Sequence, residues 1–112
     1  MAVKRLQKQL DNLKFLASCD KRMRKPVLEH ATEDTLTALC ECAHNILRGV
    51  PKLNPSQQLS LQRHKSLCRF LNRKDVSLTE KRRKLIQTGG SILPALLGPI
   101  ITALPWLLQQ KK

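Results

Sequence analysis

Charge stops at Lys84 and does not return until Lys111. Inside that gap, behind Gly89-Gly90, lies Ser91–Leu108, 18 residues without a charged side chain. An apolar run of this size has to be covered by protein or by lipid. As a straight helix it would span roughly 27 Å, just short of a bilayer core of ~30 Å. Pro94, Pro99 and Pro105 work against a stable straight helix, although membrane segments tolerate Pro and Gly. Trp106 and the terminal Lys111-Lys112 suit an interfacial anchor. Three readings follow. The segment spans a bilayer as a tail anchor, lies in the interface and disrupts it, or packs as an apolar peptide on protein. Prolines and flanking cations favour the interfacial reading. Its membrane-facing residues would be Ile92, Leu93, Leu96, Leu97, Ile100, Ile101, Leu104, Trp106, Leu107 and Leu108.

The remainder of the 112-residue chain is strongly basic, with a net charge of +13. Residues 1–25 hold eight Lys/Arg and two acids, 26–50 one Arg and four acids, and 51–88 ten Lys/Arg and two acids. Such an excess speaks about partners rather than fold. Nucleic acid, anionic lipid and acidic protein all satisfy it. With Tyr absent and aromatics at 3%, base-stacking platforms are not expected.

Periodicity makes the chain all-α: a small bundle of four or five short helices followed by a hydrophobic, proline-kinked helical tail. Val3, Leu6, Leu10, Leu13 and Leu16-Ala17 recur at three- and four-residue steps, giving one amphipathic helix. Asp20 is a candidate cap for a second, which starts or kinks near Pro26. Thr32 caps a third, with Glu33 and Asp34 at its positive end. Its stripe is Leu36, Leu39-Cys40, Ala43 and Ile46-Leu47, and Gly49 stops it. As the least basic helix, it is expected at the centre of the body. Asn54-Pro55-Ser56-Gln57 reads as N-cap, N1 proline and N3 Gln. The helix behind it carries Leu59, Leu67, Phe70 and Leu71. Ser77-Leu78-Thr79-Glu80 has the form of a capping box and opens the last helix of the body. The expected organisation is a basic body over 1–88, a Gly-Gly hinge at 89–90 and a membrane-active tail over 91–112.

Chemistry is harder to find. Cys40-Glu41-Cys42 on a helix would point its thiols ~200° apart, unsuited to one metal. Cys40 is expected in the core and Cys42 at its edge, both as reduced thiols. His30, His44 and His64 stand in no recognisable arrangement with a nucleophile or carboxylate, and no phosphate-binding Gly loop occurs. Neither enzyme activity, metal nor cofactor is expected. Met1-Ala2-Val3-Lys4-Arg5 opens no signal peptide, so cytosolic synthesis is expected.

The cations that would neutralise phosphates are Arg63, Lys65, Arg69, Arg73, Lys74, Lys81, Arg82, Arg83 and Lys84. Lys4, Arg5, Lys8, Lys21, Arg22, Arg24 and Lys25 would assist. Such binding is sequence-independent and steeply salt-dependent.

Thr88-Gly89-Gly90-Ser91-Ile92-Leu93-Pro94-Ala95-Leu96-Leu97, behind its basic cluster, resembles the end of adenovirus core protein X (mu) precursors. Leu104-Pro105-Trp106-Leu107-Leu108-Gln109-Gln110-Lys111-Lys112 resembles melittin. Ala38-Leu39-Cys40-Glu41-Cys42-Ala43 and Ser77-Leu78-Thr79-Glu80-Lys81-Arg82-Arg83-Lys84-Leu85-Ile86 are similar to small basic reading frames of Maverick/Polinton elements and adintovirus-like DNA viruses. The resemblance implies a minor virion or core protein. It would bind DNA non-specifically, assist membrane passage and reside in the virion and in the host nucleus and cytoplasm. It also implies processing at Gly89-Gly90, since adenovirus-type proteases cut after Gly-Gly with Met, Ile or Leu three residues before the last Gly. Here that place holds Gln87. Two other readings are a tail-anchored or peripheral membrane protein without a nucleic-acid role, and a capsid-cement or scaffold protein whose partners are capsid proteins.

Overall fold

The computed structural model describes residues 3–49 and 52–110, with the side chains of residues 3, 4 and 104–110 outside that description. Its helices are α1 (Val3–Lys8), α2 (Leu10–Ser18), α3 (Lys21–His30), α4 (Glu33–Leu47), α5 (Pro55–Gln62), α6 (Lys65–Leu71), α7 (Leu78–Gln87) and α8 (Ile92–Gln110). Among the described residues there is no strand.

Ahead of α8, which takes the place of the expected tail, seven helices replace the expected four or five because two of the expected ones are interrupted. Gln9, at φ −95° and ψ 7°, separates α1 from α2. Its side-chain oxygen accepts from Thr35 Oγ1 of α4 at 2.7 Å, which fixes the break against a neighbouring helix. Arg63 and His64 separate α5 from α6 in the same manner, with His64 at φ −109° and ψ 15°. This break resets the helical phase. Leu61, Leu67, Cys68 and Leu71 then face the core, whereas Leu59, expected on the apolar face, is 59% exposed.

The caps follow the sequence closely. Thr32 accepts from the Thr35 N–H at 3.2 Å. Asn54 and Gln57 complete a reciprocal capping box, at 2.8 and 3.0 Å. At α7, Ser77 accepts from the Glu80 N–H at 3.2 Å, one of the two bonds of a full box. Asp20 precedes α3 but makes no side-chain cap there and pairs with Arg22 instead. Pro26 lies inside α3 rather than at its start. The helix survives the missing N–H because buried Leu28 and a cross-helix arginine hold its C-terminal end.

α4 is the central element, packed on α1, α2, α6, α7 and α8. Its surroundings reverse the expected order of its thiols. Cys42 is fully buried and Cys40 only half-buried, because both flanks of α4 are covered.

The apolar segment behind Gly89-Gly90 is the other half of the core. Ile92, Leu93, Leu96, Leu97 and Ile100 are buried, packed with Leu13, Leu16, Leu36 and Leu39, and α8 lies on α2, α4 and α5. Each fully buried Leu or Ile contributes about 1.5–3 kcal/mol of transfer free energy. The physical reason is supply. The inward faces of α2 and α4 need apolar cover, and α8, which packs on both, provides it. Pro94 sits in the first turn of α8, where a proline costs no hydrogen bond.

The connection into α8 is a formed turn. The Gly90 N–H reaches the Leu85 carbonyl at 3.0 Å and the Gly89 N–H the Ile86 carbonyl at 2.9 Å. This is the paired bonding of a Schellman helix end. Gly89 and Gly90 have φ of +69° and +67°, a left-handed conformation that side chains resist. Gly90 is buried, and a Cβ there would lie 3.2 Å from Arg24 Cβ and Cδ. The pair turns α7 onto Ile92–Ala103 of α8 at 113°. The expected hinge is thus a tight, packed corner.

Candidate polyanion-binding surface

The nine cations named from sequence lie on α6, α7 and the turns around them, and they divide by what they touch. On α7, Leu78, Lys81, Arg82 and Leu85 fall at steps of three and four on the side that faces the body. Leu85 is buried and Leu78 packs against the core. Lys81 follows them inward and is 9% exposed. Its charge opposes the burial that raises the Cys40 thiol above its ordinary value, which places the ammonium beside α4.

Arg82 reaches across to α3. Its Nη1 donates to the carbonyls of Leu28 at 2.8 Å, Ala31 at 2.7 Å and Glu29 at 3.2 Å. A helix ends with unsatisfied carbonyls and partial negative charge, and a guanidinium answers both. Of the cations expected to neutralise phosphates, Lys81 is thus turned inward and Arg82 is engaged by the end of α3. The signal was in the spacing: cations at the inward steps between Leu78 and Leu85.

Arg73 is exposed but occupied. Its Nε and Nη2 bind Asp75 Oδ1 and Oδ2 at 2.9 and 2.6 Å. This bidentate hydrogen bond holds the Asp75 carboxyl below its usual range and raises the Arg73 guanidinium. The other six, Arg63, Lys65, Arg69, Lys74, Arg83 and Lys84, are exposed. None of them takes part in a salt bridge among the described residues. Lys84 Nζ lies 5.9 Å from the Phe70 ring centroid, a cation–π distance.

The N-terminal basic block is partly committed. Arg5 pairs with Glu41, Arg22 with Asp20 at 3.2 Å, and the stem of Arg24 packs over Gly90. Lys8, Lys21 and Lys25 are exposed, and the side chain of Lys4 lies outside the described residues.

Of the residues named for membrane contact, Ile92, Leu93, Leu96, Leu97 and Ile100 are in the core. Ile101 is half-buried against it. Leu104, Trp106, Leu107 and Leu108 lie on α8 with side chains outside the described residues. Among the described residues no single helix is long and apolar enough to cross a membrane. In the processing motif, Gly89 is exposed and Gly90 buried within the helix-end turn. The thiols of Cys42 and Cys68 are pushed up to about 12 and about 11 by burial, the former also by the Glu41 charge. Among the described residues no three His, Cys, Asp or Glu side chains gather as a metal set.

Sequence reasoning missed a groove of about 450 Å³ between α6, α7 and the entry to α8, where Arg63, His64 and Lys84 meet. Lys84 is 20 residues from His64 in sequence, and the fold brings it to the α5–α6 break, while the Gly-Gly corner adds Ser91. No protein-family model, no curated protein and no solved structure matches the chain.

Proposed function

We propose that this chain is a minor virion or core protein that binds nucleic acid non-specifically, with double-stranded DNA as the expected partner. The observation that carries the reading is the set of six exposed cations on α6, α7 and adjoining turns, which stand outside every salt bridge of the described residues. A net charge of +13 supports it. Phosphate neutralisation by such side chains releases counterions and is indifferent to base sequence. The resemblance to basic proteins of Polinton- and adintovirus-like elements agrees with a place in the virion, beside capsid proteins. The test is duplex binding at low salt by wild type and by a variant with all six cations changed to Gln. A loss of binding by the variant with its helicity intact supports the reading. Equal binding by both ends it.

A second reading adds membrane engagement, favoured by the absence of charge from Ile92 to Gln110 of α8. Because Ile92–Ile100 is core, its engagement would require α8 to leave the body. Dye release from anionic vesicles tests this. A core-weakened Leu96→Ala protein is expected to release more dye than wild type, and no release from either removes the membrane role.

A further inference from the structure

The groove at the α6–α7–α8 junction is a site of its own kind. Arg63, His64 and Lys84 line it together with the hydroxyls of Ser66, Thr88 and Ser91. No carboxylate lines it among the described residues. Two other grooves, of about 340 and 390 Å³, differ sharply. The first is lined by neither Lys nor Arg, and the second by Lys65 alone.

The donor inventory is one-sided. Arg63 offers a guanidinium fork and Lys84 an ammonium, and neither has a carboxylate partner among the described residues. Ser66 and Ser91 are exposed hydroxyls without a hydrogen bond among the described residues, whereas Thr88 gives its proton to the Leu85 carbonyl at 2.9 Å. Lys84 is held at the wall by the Phe70 ring, which orients the ammonium without neutralising it. The groove therefore presents many donors and no anionic acceptor. That suits a group made of acceptor oxygens. Its volume admits one nucleotide-sized group and not a duplex.

We propose that this groove receives a single phosphate group of a nucleic-acid strand, held by Arg63 and Lys84 with Ser66 and Ser91 as hydroxyl donors. The inference rests on the polyanion reading for the source of the phosphate and on the groove for its recognition. It makes the surface uneven, with one built phosphate seat among diffuse charges.

The experiment follows the backbone amides of Ser66, Thr88 and Ser91 in the full chain by NMR. Inorganic phosphate, a 5′-phosphorylated single-stranded oligonucleotide and phosphatidic acid vesicles are added separately. Phosphate and the oligonucleotide are expected to shift these three signals and to compete with each other. Changing Arg63 and Lys84 to Gln together is expected to weaken phosphate binding by about tenfold or more. Changing Lys14 and Lys52, exposed cations elsewhere, to Gln removes equal charge and is expected to leave it within about twofold. Equal losses in the two pairs, or shifts spread over the whole basic surface, overturn the seat. Groove signals that answer to vesicles and phosphate but not to a bound oligonucleotide overturn the nucleic-acid assignment. An oligonucleotide that binds nowhere while phosphate fills the groove ends the polyanion reading instead.

Discussion

Arg82 Nη1 lies 2.8 Å from the carbonyl oxygen of Leu28, across 54 residues of sequence. The same nitrogen serves Glu29 and Ala31, so one guanidinium closes the C-terminal end of α3 from α7. The contact spends a cation that sequence places in the phosphate-binding run. Hydrogen bonds to a charged group are worth about 1.5–3 kcal/mol each in buried settings, and carbonyls left bare add cost. Arg82 is half-buried, so Arg82→Ala is expected to destabilise by about 2 kcal/mol. Arg83→Ala, one residue on and exposed, is expected to change stability by less than about 0.5 kcal/mol. Urea denaturation of the two variants measures the contrast.

The Gly89-Gly90 corner separates backbone strain from crowding. Gly89→Ala meets only its positive φ, because nothing lies within 4 Å of the added Cβ, and about 1–2 kcal/mol is expected. Gly90→Ala meets the same strain and also Arg24 and Leu93 at 3.2 and 3.3 Å. It is expected to cost more, about 2–4 kcal/mol. Thermal unfolding of both gives the order. A flexible hinge would show no cost at either position.

The burial of α8 predicts that residues 1–88 do not form an independent folded body. Leu96→Ala or Leu97→Ala is expected to cost about 2–5 kcal/mol, the range for fully buried leucines. A chain ending at Thr88 is expected to lose the dispersed amide spectrum of the folded protein. Retention of native dispersion by that fragment would mean that α8 is peripheral.

Two buried thiols make stability depend on alkaline pH. Cys42 and Cys68 ionise near 9.0 when unfolded but are raised to about 12 and about 11 when folded. Above pH 9 the unfolded chain releases protons that the folded chain keeps. Stability from this source is complete below pH 9 and falls as pH rises toward 11–12. The expected decline is about 1.4 kcal/mol per pH unit for each thiol. Denaturation at about pH 8, 9 and 10 measures it, and a Cys42→Ala, Cys68→Ala protein is expected to show a flatter profile.

Much of the fold was legible because local chemistry specified it. Thr32, Asn54 and Ser77 cap where their spacing says, Gly49 stops α4 at φ +72°, and α4 is central as its low charge implies. What escaped was tertiary. An uncharged run reads the same whether lipid or protein covers it, so Ile92–Ile100 did not disclose its partners Leu13, Leu16, Leu36 and Leu39. A helix break such as Arg63–His64 leaves no Gly or Pro to mark it. Lys81 and Arg82 share the charge of their neighbours, but their register with Leu78 and Leu85 turns them inward. The groove of Arg63, His64 and Lys84 depends on the unmarked α5–α6 break and on the packing of α7, neither of which spacing discloses.

A salt titration tests polyanion binding by the six exposed cations most directly. Binding of a short DNA duplex to the full chain is measured by fluorescence anisotropy from low to physiological salt. With each contacted phosphate contributing about −0.9 to the slope of log K against log salt, five or six contacts predict a slope of about −4.5 to −5.4. Arg63, Lys65, Arg69, Lys74, Arg83 and Lys84 changed together to Gln are expected to flatten it. A salt-independent affinity, or no binding at low salt, would contradict the account.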